Sequence, residues 1–168
     1  MRADTPPNES GRLQSLRSYG ILDTPPETAF DDLTRIAAHV CETPIAVVNL
    51  IDEGRQWFKS EIGLGVQETP LEPSICAHAI LQPGVFVVPD TLEDARFRNN
   101  PLVTGEPHLR FYAGALLKTP EGHALGTVCV LDYRPRQLSD DKSPSSSLWR
   151  DRRWPFSSFV RGSPPLGG

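Results

Sequence analysis

Apolar residues recur at helical spacing through the first quarter of the chain and then give way to short β-branched runs. Glu9 to Tyr19 predicts a short helix presenting Leu13 and Leu16, ended by Gly20 in the left-handed conformation. A second start signal follows. Thr24-Pro25-Pro26-Glu27 offers a hydroxyl N-cap, prolines where no amide partner is needed and a carboxylate at N3. Phe30, Leu33, Ile36, Ala37 and Val40 then form one face, opposite Asp31, Asp32 and Arg35, until Pro44 forbids continuation. This amphipathic helix needs a sheet to cover.

The sheet begins at once. Ile45-Ala46-Val47-Val48-Asn49-Leu50-Ile51 is short, β-branched and apolar on both faces, as a central strand is. The turn at Glu53-Gly54 is so short that Arg55 to Ser60 must pair back antiparallel, and Gly63 and Gly65 close that unit. Ser74 to Leu81, opened by Pro73, is alanine-containing and predicts one or two helical turns ended by Pro83-Gly84. Val85 to Val88 reads as a brief strand, and Thr91 to Glu106 as a long polar connection of the kind that carries function. Leu109 to Lys118 and Ala124 to Leu131 predict two long strands joined through Thr119-Pro120-Glu121-Gly122. The expected class is α+β, with a central, mostly antiparallel sheet of about six strands.

Composition narrows the functions open to such a fold. A length of 168 residues suits one domain, and 38% hydrophobic residues is lean for a compact globule. The formal charge is -4, and Ser139 to Gly168 holds five basic against three acidic residues, so residues 1–138 carry -6. An acidic body without a basic patch repels phosphate backbones, so no nucleic-acid partner is expected. No run approaches the roughly 18 apolar residues of a membrane span, and the N-terminus lacks a signal-peptide core. Cys41, Cys76 and Cys129 are odd in number, widely spaced and set in apolar runs, which reads as reduced thiols in a cytoplasmic protein.

The organisation expected is a disordered N-terminus over 1–8, a folded domain over 9–138 and a disordered or aberrant tail over 139–168. That tail is rich in serine and proline yet carries Trp149, Trp154, Phe156 and Phe159, which solvated tails seldom do. Lys142 onward therefore reads as out of frame, or truncated relative to a longer sensor protein.

Candidate chemistry centres on Ser74-Ile75-Cys76-Ala77-His78-Ala79-Ile80, where a thiol stands two residues from an imidazole. Two helical steps rotate by about 200°, so Cys76 and His78 leave opposite sides of the helix and cannot act as a dyad. No CxxC or HExxH spacing occurs, so no metal site is expected. Arg110 and Tyr112 share a strand face by period two, beside the connection holding Asp90, Asp94 and Phe97. They could meet an anionic or aromatic ligand, or Arg110 could pair with Asp90 or Asp94 to hold the connection. Trp57 caps the sheet or stacks on a ligand. Asp52 and Asp132 end strands as turn residues.

Several stretches in order carry a family resemblance: Tyr19 to Glu27, Arg55 to Ser60, Ser74 to Ile80, Val87 to Asp90, Asp94 to Phe97, Asn100 to Gly105, Arg110 to Ala115 and Leu125 to Asp132. Together, from about Leu13 to Leu138, the chain resembles a GAF domain of the bacterial signalling type found N-terminal to histidine kinase or diguanylate cyclase modules. The resemblance implies helices on one face of the sheet and a loop-covered small-molecule pocket on the other. It implies a sensory or regulatory binding domain without catalytic residues, whose ligand-binding candidates are Trp57, Cys76, His78, Asp90, Phe97, Arg110 and Tyr112. Homodimerisation through terminal helices is the family expectation, including a long C-terminal helix that Ser143-Pro144-Ser145 cannot continue.

The ligand is an unidentified small molecule, and no cofactor is named. Bilin-binding relatives attach their chromophore through a cysteine followed directly by histidine, whereas Ala77 intervenes here; cyclic-nucleotide-binding relatives carry an Asn-Lys pair that is absent. The competing readings are a thiol-dependent free methionine sulfoxide reductase using Cys76 and a ligand-free dimerisation module. Reductases of this kind gather several cysteines around one pocket, a clustering that Cys41, Cys76 and Cys129 are not expected to show.

Overall fold

The computed structural model of the chain describes residues 3–82 and 85–137, and the fold follows from how two faces of one sheet are covered. The stop signal at Pro83-Gly84 and all expectations for 138–168, the tail and the long C-terminal helix included, lie outside the described residues. Helix α1 spans Glu9–Ser18 and ends at Gly20 with φ 59°, as the sequence predicts. Helix α2 spans Thr28–Cys41. The strands are β1 (Ile45–Ile51), β2 (Arg55–Ile62), β3 (Glu68–Pro70), β4 (Phe86–Val88), β5 (Phe111–Lys118) and β6 (Ala124–Asp132), with α3 (Ile75–Ala79) and α4 (Pro101–Thr104) between them. They form one six-stranded sheet in the order β3-β2-β1-β6-β5-β4, with every neighbouring pair antiparallel.

Alternation along the strands separates two cores. Ala46, Val48 and Leu50 of β1 pack with Leu16, Phe30, Leu33, Ala37 and Cys41 under α1 and α2. Ile45, Val47 and Ile51 face the other way, where they meet α3 and the connection that follows β4. Strand β1 is buried along its whole length, because it is central and covered on both faces.

Three departures from the sequence reading have physical causes. Helix α2 starts at Thr28 with Glu27 at the N-cap, not at Thr24, because each residue before a proline is driven to extended backbone. The Thr24 hydroxyl instead donates to the Ile21 carbonyl at 2.5 Å and accepts from Lys59 Nζ at 2.7 Å. Ile36 lies at the margin of the helix face and is exposed, while Thr34 takes its place inward. Strand β3 was not expected; it pairs with β2 at the edge of the sheet, where Pro70 lacks nothing that an edge requires.

A register shift in the β1–β2 pairing makes Lys59 the extra residue of a bulge, between Ser60 opposite Val48 and Phe58 opposite Asn49. Lys59 and Ser60 consequently both reach the α2 side. Lys59 Nζ meets Thr24, the Pro25 carbonyl and Glu27 Oε2 at 2.7, 2.7 and 2.6 Å, and Ser60 Oγ bonds Asp31 at 2.6 Å and Thr34 at 2.9 Å. An open groove of about 360 Å³ runs past these residues. Lys59, Ser60 and Asp31 in its wall are taken up by these bonds, which anchor α2 on β2.

Candidate functional site

The opposite face of the sheet holds the chemistry. Helix α3 is short, begun by Ser74, whose hydroxyl accepts from the Ala77 N–H at 3.1 Å and donates to Gln56 Oε1 at 2.8 Å. This cap sets Cys76 down on β6 and β5. Across β1, β6 and β5 the register aligns Asn49 with Thr127 and Cys129 with Gly114, two residues along β5 from Tyr112 and on the same face. A Cβ at position 114 would come within 2.6 Å of the Tyr112 hydroxyl, so only glycine leaves room for that ring to lie along its strand.

The result is a buried polar knot. Tyr112 Oη donates to Cys76 Sγ at 3.2 Å, Thr127 Oγ1 lies 3.4 Å from the same sulfur, and Cys129 Sγ lies 3.7 Å from it. Burial by itself pushes the Cys76 thiol up; hydrogen bonds from Cys129, Thr127, Tyr112 and Asn49 outweigh it and bring the thiol down to about 7. The same contact with Cys76, together with burial, holds the Cys129 thiol well above its ordinary value. Tyr112 is likewise raised, by burial and then by the two neighbouring sulfurs. Beside them, Asn49 Nδ2 faces Gln56 Oε1 at 3.4 Å, and Gln56 Nε2 donates to Thr69 at 2.7 Å. Asn49 Oδ1 is fully buried without a hydrogen-bond partner.

Four of the sequence-predicted site residues share this face. Cys76 and Tyr112 touch, His78 packs edge-on against Phe97 at 4.9 Å, and Phe86 links Phe97 to Tyr112 with ring centroids 6.0 and 5.9 Å away. Cys76 and His78 address different neighbours, as two helical steps require. Asp90 and Arg110 form an ion pair at the rim, 3.1 Å at its shortest, while Asp94 is taken by Arg96 at 2.7 Å. The Arg96 guanidinium also lies over Phe86, 4.7 Å from the ring centre, and its hydrogen bonds hold the Asp94 carboxyl below its usual range. Trp57 is separate from all of these, on the α1 and α2 side of the sheet.

The connection that follows β4 covers this face as expected, but its own side chains occupy it. It folds into a 3-10 turn at Thr91–Glu93 and α4, and Phe97 and Val103 enter the apolar cluster around Cys76. The cysteine expectation needs correction: Cys76 and Cys129 are in contact, and only Cys41 stands apart, in the α2 core. Asn49, Gln56, Ser74 and Thr127 were missed. The available signal was an asparagine inside an otherwise apolar central strand, where a buried amide demands an explanation. Among the described residues there is no group of three His, Cys, Asp or Glu able to hold a metal ion, and no helix long and apolar enough to cross a membrane.

Comparison with known proteins agrees with this architecture. The sequence matches the GAF domain family over residues 25–143. It is 45% identical over 131 residues to a cyclic di-GMP phosphodiesterase of Pseudomonas aeruginosa, an alignment that covers 78% of this chain and 22% of that protein. The chain thus spans about a fifth of the length of this curated relative. Among solved structures, the GAF domain of an Acinetobacter phosphoenolpyruvate-protein phosphotransferase superposes with a TM-score of 0.63 at 16% identity, covering 89% of this chain and 92% of that one. A type II free methionine-R-sulfoxide reductase from Thermoplasma acidophilum superposes with a TM-score of 0.57 at 12% identity, covering 79% and 94%. At such identities the structural likeness establishes the fold alone. The matched segment takes in every strand and every site residue described above, and the chain belongs to the GAF domain family.

Proposed function

We propose that this chain is the sensory module of a bacterial signalling protein concerned with cyclic di-GMP turnover, and that it binds a small molecule on the α3 face of its sheet. The observation that carries the reading is Asn49 Oδ1, an amide oxygen buried without a partner amid hydrogen-bonded neighbours. Leaving such an acceptor unmet costs about 1–3 kcal/mol, which a ligand N–H or O–H would return on binding. The close relative, a cyclic di-GMP phosphodiesterase, supports that output in preference to the kinase or cyclase expected from the sequence.

Entry of a ligand moves the connection between β4 and β5, because Phe97 and Val103 fill the space above the sheet. The Asp90–Arg110 pair is the latch of that connection, its two side chains 25% and 28% exposed at the rim. Binding at Asn49 is thereby coupled to release of a surface ion pair, a two-state change of the kind sensory domains transmit. The domain binds and does not catalyse.

The test is a thermal-shift screen of small polar metabolites against the reduced chain, with Asn49→Leu as the comparison. A ligand at 100 times its dissociation constant should stabilise the domain by about 2.7 kcal/mol, and Asn49→Leu should abolish that gain while remaining folded. A ligand that stabilises both proteins equally removes Asn49 from the site. A panel without any stabilising compound favours a ligand-free module.

A further inference from the structure

The contact between Cys76 and Cys129 has a chemistry of its own that ligand binding does not use. Their sulfurs are 3.7 Å apart and unbridged, one on α3 and one on β6. A cysteine that merely fills a core meets carbon atoms. Cys76 instead meets the Tyr112 hydroxyl at 3.2 Å, the Thr127 hydroxyl at 3.4 Å, the second thiol and the Asn49 amide. Every one of these groups can donate a hydrogen bond to sulfur, so the cluster favours a thiolate at Cys76 despite its burial. Access also ranks the two: Cys76 keeps 6% of its surface exposed and Cys129 keeps 1%. Cys41 lies on the far side of the sheet and cannot join them.

We propose that Cys76 and Cys129 are a hydroperoxide-responsive pair that closes into an intramolecular disulfide, giving the domain an oxidation input beside its ligand site. The Cys76 thiolate attacks one oxygen of hydrogen peroxide; the O–O bond breaks and the departing hydroxide takes up the proton that Cys76 released, leaving as water. Cys76 is then a sulfenic acid. The Cys129 sulfur attacks Cys76 Sγ, the S–S bond forms as the S–O bond breaks, and the second hydroxide leaves as water with the Cys129 proton. Two electrons pass from the thiols to the peroxide, and the protein loses two hydrogens. The sulfurs have to close from 3.7 Å to about 2.05 Å, which draws α3 toward β6 and moves Ser74, the partner of Gln56.

The pairing stands on the thiol geometry and does not require the ligand reading. Trypsin separates the three cysteines into different peptides, since Arg35, Arg55, Lys59, Arg96, Lys118 and Arg136 flank them. The reduced full chain is treated with hydrogen peroxide, its circular dichroism is recorded, the peroxide is removed, and the remaining thiols, buried Cys41 included, are blocked with iodoacetamide in urea before digestion and mass-spectrometric mapping. The expected product is a Cys76–Cys129 linked peptide lighter by two hydrogens, with Cys41 still alkylated and the fold intact. In Cys129→Ser, a dimedone-type probe should capture a sulfenic acid at Cys76 that it captures far less in the unaltered chain. Should that variant fail to fold, the map of the unaltered chain decides alone. Oxidation of Cys41 ahead of the pair, over-oxidised Cys76 with Cys129 still free, or a cross-link formed only after urea unfolding would each overturn the proposal.

Discussion

Replacing Tyr112 by phenylalanine deletes one oxygen and tests whether donors, and not mere crowding, set the state of Cys76. The ring is expected to stay, held between Phe86 at 5.9 Å and the room that Gly114 leaves. What disappears is the 3.2 Å bond to Cys76 Sγ. A hydrogen bond to an ionised acceptor contributes about 1.5–3 kcal/mol and one to a neutral acceptor about 0.5–1.5, so the thiolate loses roughly 1.4 kcal/mol more than the thiol. That difference makes Cys76 about tenfold less acidic. Below about pH 7, where Cys76 is a thiol, stability should fall by about 0.5–1.5 kcal/mol, and above it by about 1.5–3 kcal/mol. The assay follows thiolate absorbance against pH in a Cys41→Ser background, where the parent midpoint is expected at about 7, below that of an ordinary thiol. An unmoved midpoint in a folded Tyr112→Phe protein would refute the assignment of Tyr112 as a donor to the sulfur.

Two further expectations bear on the fold and its pH response. Gly126→Ala places a Cβ onto the Asn49 carbonyl of the neighbouring strand and should cost about 3 kcal/mol in urea unfolding, whereas Gly122→Ala meets no atom within 4 Å and should cost only about 1–2 kcal/mol of left-handed strain at φ 92°. Under reducing conditions, the Cys76 thiol lowered from 9.0 to about 7 contributes stability above its ordinary value that is lost as pH falls through the folded one. Unfolding free energy should therefore rise between pH 7 and 9, by on the order of 2 kcal/mol, and Cys76→Ser should flatten that slope. Cys129, raised by the same contact, acts with opposite sign and only above its ordinary value, so it does not mask the effect.

How legible this site was depends on which physical signal places each residue. Elements fixed by local pattern were readable: the apolar run 45–51 is β1, the 119–122 turn joins β5 to β6, and the short alanine-containing segment after Pro73 holds α3. The two-step separation of Cys76 and His78 on a helix also sufficed to dismiss a dyad, and the Asp90–Arg110 pair was one of two readings of charge beside a long connection. Residues whose meaning depends on strand register were not readable. That Cys129 stands opposite Gly114 and Asn49 opposite Thr127 follows only once β1, β6 and β5 are aligned, and one step of slippage would turn each to the other core. The bulge at Lys59 is such a step in the β1–β2 pairing: it sends Lys59 and Ser60 to α2 and leaves Asn49 and Gln56 beside Ser74. Cysteine spacing along the chain says nothing about this, because 53 residues separate two sulfurs that the sheet brings to 3.7 Å. The thiol pair and the unpartnered amide of Asn49 thus arise from the same cause, a polar stripe written one residue per strand and assembled only by pairing.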